Sequence, residues 1–207
     1  LVLLFNTVKF TLELLISLCL RGDMPKGLLE QGWLASARKC ISPHFNARPD
    51  NEVSLLVIHN ISLPAGCFGL GHIDGLFQGC LDINADESFT ELAGLQVSAH
   101  FLIRRDGEVV QYVSCDDRAW HAGVSEHNGR KGCNDFALGI ELEGTDSSGY
   151  TDQQYQQLIL LTLELMAQYP MLNVNNIVGH CDIAPGRKTD PGFSFDWHRY
   201  KQAIAGN

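Results

Sequence analysis

The stretch Ala137-Leu138-Gly139-Ile140-Glu141-Leu142-Glu143 decides the fold class. Extended, it places Leu138, Ile140 and Leu142 on one face and Glu141 and Glu143 on the other, the alternation of a strand. Upstream, Ser54-Leu55-Leu56-Val57-Ile58 is a short apolar run rich in β formers and reads as a buried strand ending at His59. Two more strands, Ser98–Ile103 and Val109–Val113, flank Asp106-Gly107, a tight turn whose glycine tolerates positive φ. Between Ile61 and Thr90 the chain is rich in glycine, with a short helix near Ile73–Gln78, and residues 114–135 read as polar loop. Downstream, Thr151 and Gln154 have capping-box spacing, and Leu158, Leu161, Leu165 and Met166 recur at helical spacing up to Tyr169-Pro170. Asn176–Ile183 reads as a strand running into a Pro/Gly loop, and Phe195–Ala205 as a closing helix. Strands and helices mix around one hairpin, which predicts a single α/β domain: a mixed β-sheet flanked by helices.

The length, 207 residues, suits one domain with a sizeable core. Hydrophobic residues make up 45% and charged residues 19%, an ordinary soluble composition. A formal net charge of −9 argues against nucleic acid as a partner, because phosphate backbones repel it. The same charge disfavours anionic wall polymers and stable membrane association, and favours a small soluble substrate. No feature points to an obligate protein partner. The cysteines number seven, an odd count with no C-x-x-C pair, which argues against a disulfide framework or zinc finger and fits a reducing compartment.

Residues 1–20 are strongly apolar, but Lys9 and Glu13 interrupt the run, which counts against a spanning helix. A basic start and a small-residue cleavage site are both missing from it. Ile16-Ser17-Leu18 before Cys19 lacks the small residue a lipoprotein site needs beside its cysteine. Met24-Pro25-Lys26 opens the globular-looking part, so the reading is an N-terminal extension over 1–23 and a working domain over 24–207, in the cytoplasm. The alternative makes residues 1–20 an export sequence or anchor, with a periplasmic or membrane-anchored protein.

His59, His180 and Asp190 are candidate metal ligands. His59 closes the first strand, His180 lies in Val178-Gly179-His180-Cys181, and Asp190 follows in a loop. Two imidazoles and a carboxylate suit Zn²⁺ and leave its fourth tetrahedral position for water, whose pKa zinc lowers to about 7. Spacing alone does not single them out among eight histidines, each of which can equally make a local hydrogen bond.

Five blocks occur in order: His59-Asn60-Ile61-Ser62-Leu63-Pro64; Ser98-Ala99-His100-Phe101-Leu102-Ile103; Trp120-His121-Ala122-Gly123; Gly139-Ile140-Glu141-Leu142-Glu143-Gly144; and Gly179-His180-Cys181-Asp182 through Lys188-Thr189-Asp190-Pro191-Gly192. Together they resemble the N-acetylmuramoyl-L-alanine amidases of the AmpD type, part of a wider family that includes the peptidoglycan recognition proteins. The resemblance runs from about Gly32 to about Tyr200. It implies an amidase/peptidoglycan-recognition-protein-like fold and cleavage of the amide between (1,6-anhydro-)N-acetylmuramic acid and L-alanine in cell-wall recycling. It implies one Zn²⁺ per chain on His59, His180 and Asp190, a general base at Glu141 and an oxyanion-stabilising cation at Lys188. Amide hydrolysis needs a nucleophile, a proton shuttle and a charge to meet the developing oxyanion, which such a set supplies. Strand alternation cannot choose between Glu141 and Glu143; the family pattern favours Glu141. Asn60, Trp120 and His121 are candidate substrate contacts, Trp120 as an aromatic flank for a sugar ring, with packing over the core as the competing role. His100 reads as structural, and His44, His72, His127 and His198 as surface or capping residues. Relatives carry basic residues where Gln96 and Gly132 stand here, with Arg130 and Lys131 as partial substitutes. The competing functions are an exported or anchored wall amidase, and a non-catalytic wall-fragment receptor on the same fold.

The domain reading yields a first test. A chain starting at Met24 is expected to fold and to hydrolyse muropeptide at the full-length rate. Loss of activity in that soluble shorter chain would mean that the first 23 residues take part in the working domain.

Overall fold

The computed structural model describes residues 29–205, so the expectation for residues 1–23 lies outside the described residues. The main sheet has six strands: β1 (Arg38–Lys39), β2 (Leu55–Ile61), β3 (Phe101–Ile103), β4 (Val109–Gln111), β5 (Ala137–Glu143) and β6 (Ile177–Gly179). Their spatial order is β6-β2-β5-β3-β4-β1. The β6, β2, β5 and β3 strands run parallel to one another, β3 and β4 form the antiparallel hairpin, and β1 lies parallel to β4. The sheet is therefore mixed, as the sequence predicts. Shorter strand pairs outside it join Leu29–Glu30 to Trp33–Leu34, Phe45–Ala47 to Asp117–Ala119, and Glu126–His127 to Arg130–Lys131.

Among the described residues the α-helices are α1 (His72–Phe77), α2 (Asp152–Gln168), α3 (His180–Ile183) and α4 (Trp197–Ala205). Every residue of β5 is buried, so both its faces are covered. Leu138, Ile140 and Leu142 pack with Leu158, Leu161 and Leu165 of α2 and with Tyr200 and Ile204 of α4. Each such side chain contributes roughly 1.5–3 kcal/mol on burial, which fixes which face of β5 meets the helices. On the other side, Leu55, Val57 and Ala137 pack with Ala122, Phe136 and Ile183, while α1 closes over Leu102, Val110 and Tyr112.

The predicted capping box forms. Thr151 Oγ1 accepts the Gln154 N–H at 3.1 Å, and Gln154 Oε1 accepts the Thr151 N–H at 3.1 Å. The Gln154 amide also donates to the carbonyls of Ile103 and Glu143, at 3.1 and 2.9 Å, so the cap ties α2 to the ends of β3 and β5. The Asp106-Gly107 turn forms with Gly107 at φ +91°. Two expectations change. The strand predicted over Asn176–Ile183 stops at Gly179, because the Asp182 carboxylate accepts the Gly179 N–H at 2.7 Å and turns the chain into α3. His180 thus opens a helical turn. The stretch 114–135 is not plain loop but carries the short strands named above. Among the described residues no helix is long and apolar enough to cross a membrane, and the six described cysteines are unpaired.

Thr151→Ala removes the cap acceptor and also the Thr151 hydroxyl bond to the Arg105 carbonyl. Urea unfolding is expected to show a loss of about 1–2 kcal/mol with activity retained, since the cap lies outside the site. Unchanged stability would show that the cap does not anchor α2.

Candidate active site

The parallel register builds the site. Ile58 of β2 stands opposite Ile140 of β5 and Gly179 of β6. One residue further along, His59 lies opposite Glu141, and His180 follows Gly179 at the end of β6. Three candidate site residues therefore emerge in one row at the carboxyl ends of adjacent parallel strands, the edge at which open α/β sheets bind ligands. Asp190 joins from the loop after α3, held because the Cys181 N–H bonds its carbonyl at 3.0 Å.

His59 Nδ1 and His180 Nδ1 lie 2.9 Å apart, and each lies 3.0 Å from Asp190 Oδ2. Among the described residues this trio is the His/Cys/Asp/Glu group able to hold a metal ion, with its ligand atoms all within 4.8 Å of one another. The donor set fits a cation on chemical grounds. His180 Nε2 lies 3.2 Å from the Ala122 carbonyl, which can only accept, so in the neutral imidazole the proton sits on Nε2 and Nδ1 is a bare lone pair. That lone pair faces a carboxylate oxygen, and two acceptors in contact require positive charge between them. The spacings are a few tenths of an ångström below the ~3.3 Å expected between ligands around a tetrahedral zinc. Burial lowers the His59 pKa to about 4 despite Asp190, which keeps the imidazole neutral as a ligand must be. Burial opposes ionisation of Asp190, but its close contacts with the His180 and His59 imidazoles outweigh it and hold the carboxyl below the usual range.

The three candidate ligands line one cavity of about 520 Å³ together with Glu141, Lys188, Asn60, Trp120 and His121. Glu141 is 8% exposed, and its Oε2 is buried without a hydrogen-bond partner. Burial, then the Asp190 charge, push its carboxyl well above the ordinary value, and the Lys188 charge opposes them. Lys188 is exposed at the rim. Glu143, on the same strand face, has a different surrounding. It is 1% exposed and accepts the N–H groups of Gly69 at 2.6 Å and Arg105 at 3.2 Å, with the Arg104 guanidinium 3.5 Å away. It holds the loop before α1 and is neither solvated nor among the cavity-lining residues. Asn60 directs its amide to Asp146 at 2.8 Å. Trp120 bonds Asn46 through its indole N–H at 2.7 Å and stacks on His44, which is buried and not the surface residue expected. Arg130 is engaged with Glu52 at 2.7 Å and with the Phe136 ring, so it is committed elsewhere. Gln96 lines a smaller side cavity of about 150 Å³ that shares Leu76, Leu92 and Leu95 with the main one.

Sequence reasoning missed several supporting residues. Asp146 braces the Asp190 loop. Gly192, at φ +83°, lies so close to it that a Cβ there would meet Asp146 Cα at 2.1 Å, and Tyr150 bonds the Pro191 carbonyl at 2.7 Å. Arg48 is buried and spreads its guanidinium over the carbonyls of Cys115, Asn134, Asp135 and Ala137 behind the site. Burial lowers its pKa to about 10. None of Asp146, Tyr150 and Arg48 stands in a periodic pattern, so no local signal marked them.

The family model described as N-acetylmuramoyl-L-alanine amidase (Amidase_2) matches residues 49–193, which contain the whole site. The 1,6-anhydro-N-acetylmuramyl-L-alanine amidase AmpD of Citrobacter freundii is 61% identical over 178 residues, covering 86% of this chain and 95% of that protein. The crystal structure of a selenomethionine AmpD derivative superposes with a TM-score of 0.84 at 60% identity, over 86% of this chain and 99% of the other. The E. coli amidase AmiD, solved in complex with the substrate anhydro-N-acetylmuramic acid-L-Ala-D-gamma-Glu-L-Lys, matches with a TM-score of 0.54 at 31% identity, over 73% of this chain and 57% of AmiD. With the family model, the sequence identity and the structural superposition in agreement, the chain belongs to the N-acetylmuramoyl-L-alanine amidase family.

Proposed function

We propose that this amidase cleaves the amide between 1,6-anhydro-N-acetylmuramic acid and the L-alanine of a stem peptide, as a step of peptidoglycan recycling, with one Zn²⁺ held by His59, His180 and Asp190. One observation carries the reading: a three-ligand cluster and the buried, unpartnered carboxyl of Glu141 open into the same cavity. Zn²⁺ in that cluster would supply a Lewis acid and lower the pKa of a bound water to about 7.

The chain's own residues do the rest. Glu141 takes a proton from the attacking water and hands it to the departing alanine nitrogen. Its raised affinity for protons suits that double role, because a shuttle works best with a pKa near the working pH. The Lys188 ammonium, reaching in from the rim, meets the negative charge that develops on the carbonyl oxygen. Trp120 flanks the sugar, and Asn60 and His121 line the wall beside it. The AmiD complex with an anhydromuramyl peptide supports a soluble muropeptide as the substrate class, and the net charge of −9 disfavours anionic wall polymer.

Three variants separate binding from chemistry. Wild type purified without added metal is expected to hold about one zinc per chain by elemental analysis. Glu141→Gln should keep zinc and lose ~10²–10⁴-fold in kcat. His180→Ala should lose both metal and activity, since two protein ligands would remain. Glu143→Gln should lower stability through its bonds to Gly69 and Arg105, yet stay well above Glu141→Gln in rate. A zinc-poor Glu141→Gln would make that residue part of the metal site, and a metal-free, chelator-insensitive wild type would end the zinc reading.

Substrate choice is tested side by side. Anhydromuramyl tripeptide is expected to be cut faster than intact sacculi at equal muropeptide content, measured by mass spectrometry of released peptide. Faster cutting of sacculi would favour an exported wall amidase.

A further inference from the structure

The nitrogens of His59 and His180 that face away from Asp190 are both held by one short segment. His180 Nε2 meets the Ala122 carbonyl at 3.2 Å, and His59 Nε2 meets His121 Nδ1 at 3.0 Å. The segment itself is pinned. The buried Asn134 accepts the N–H groups of His121 and Ala122 through Oδ1 at 3.1 and 2.8 Å, and Arg187 donates to the Ala122 and Val124 carbonyls at 2.8 and 2.7 Å. The imidazole of His121 lies flush on β5 because residue 139 has no side chain: a Cβ there would meet His121 Cγ at 2.5 Å.

The two supports differ in chemistry. A carbonyl can only accept, so Ala122 settles the tautomer of His180 outright. An imidazole can give or take, so the polarity of the His59–His121 bond is set by its other ends. If His121 carried its proton on Nδ1, it would donate to His59 Nε2 and force the His59 proton onto Nδ1, between His180 and Asp190. That arrangement blocks a metal. The opposite polarity frees His59 Nδ1 and puts the His121 proton on Nε2, an atom that is buried and has no partner in the protein. Resting on the ligand assignment above, we infer that His121 is a positioning residue for His59. It accepts the His59 Nε2–H, so presents His59 Nδ1 bare to the metal, and keeps its own Nε2–H as a donor for substrate at the cavity wall.

Asparagine and glutamine divide the two nitrogens of histidine between them. The Asn amide oxygen reproduces the Nδ1 position, and the Gln amide reaches the Nε2 position. Zinc affinity, measured by competition with a chromophoric chelator, is expected to fall ~10–100-fold in His121→Ala and His121→Gln and to stay within about threefold of wild type in His121→Asn. Zinc-loaded His121→Asn should still lose ~3–10-fold in kcat/KM, because the distal donor is gone. Nitrogen-15 spectra of the zinc-loaded wild type should show protons on Nε2 of both His59 and His121, a readout independent of how any variant folds. Equal zinc affinity in all three variants, Asn as weak as Ala, or a His121 proton on Nδ1 would each overturn the inference. If the wild type binds zinc normally under those outcomes, only the role of His121 fails. If it binds none, the ligand assignment fails first.

Discussion

The register between three parallel strands is the constraint on which the rest of the structure depends. Ile58, Ile140 and Gly179 form one row, and His59, Glu141 and His180 come next. Strand period is two, so a slip of one residue in β5 would turn Glu141 toward α2 and bring Ile140 to the site. Such a slip is opposed by burial on both faces of β5, with Leu138, Ile140 and Leu142 against the helices and Ala137 against Phe136 and Ile183. Packing of an apolar face therefore sets the position of the face that carries Glu141. The carboxyl ends of the strands supply three of the site's residues, and a braced loop supplies Asp190.

Placing so many polar groups inside a domain requires that each find a partner, since an unpaired buried group costs about 1–3 kcal/mol. Behind the site the rule is obeyed. Arg48 is shared among four carbonyls, and His100 Nδ1 accepts the Gly139 N–H at 3.0 Å while its Nε2 meets the Asp117 carbonyl at 3.2 Å. Asn134 serves two backbone N–H groups at once. At the site the rule is broken: Glu141 Oε2 and His121 Nε2 are both left without partners. These two atoms lie where a substrate and an attacking water would be received, and the surrounding network holds them in place.

Two glutamates on one strand face show how environment divides roles. Glu143 sits beside Arg104 and two backbone N–H groups, which satisfy a fixed negative charge. Glu141, two residues earlier, faces buried space and the Asp190 charge, opposed by the Lys188 cation at the rim, so its carboxyl holds a proton more readily. The first arrangement anchors a loop, and the second suits proton transfer. The difference comes from Gly69 and Arg105 on one side and Asp190 on the other, all distant in sequence.

The α/β class, β5 to the residue, the hairpin turn at Gly107 and the capping box at Thr151 were legible in the chain, because each rests on local periodicity or on local hydrogen bonds. The residues of the site were legible through five blocks that resemble a family, not through spacing, since eight histidines offer too many pairings. What the tertiary structure alone decided was of another kind. It buried His44 under Trp120, gave Glu143 to a loop and engaged Arg130 with Glu52. It also set His121 behind His59 in the space left by Gly139. Each of these depends on a contact between segments far apart in the chain, where no local pattern constrains the partner. The order of residues determined which elements form, and the packing of those elements determined which polar groups meet.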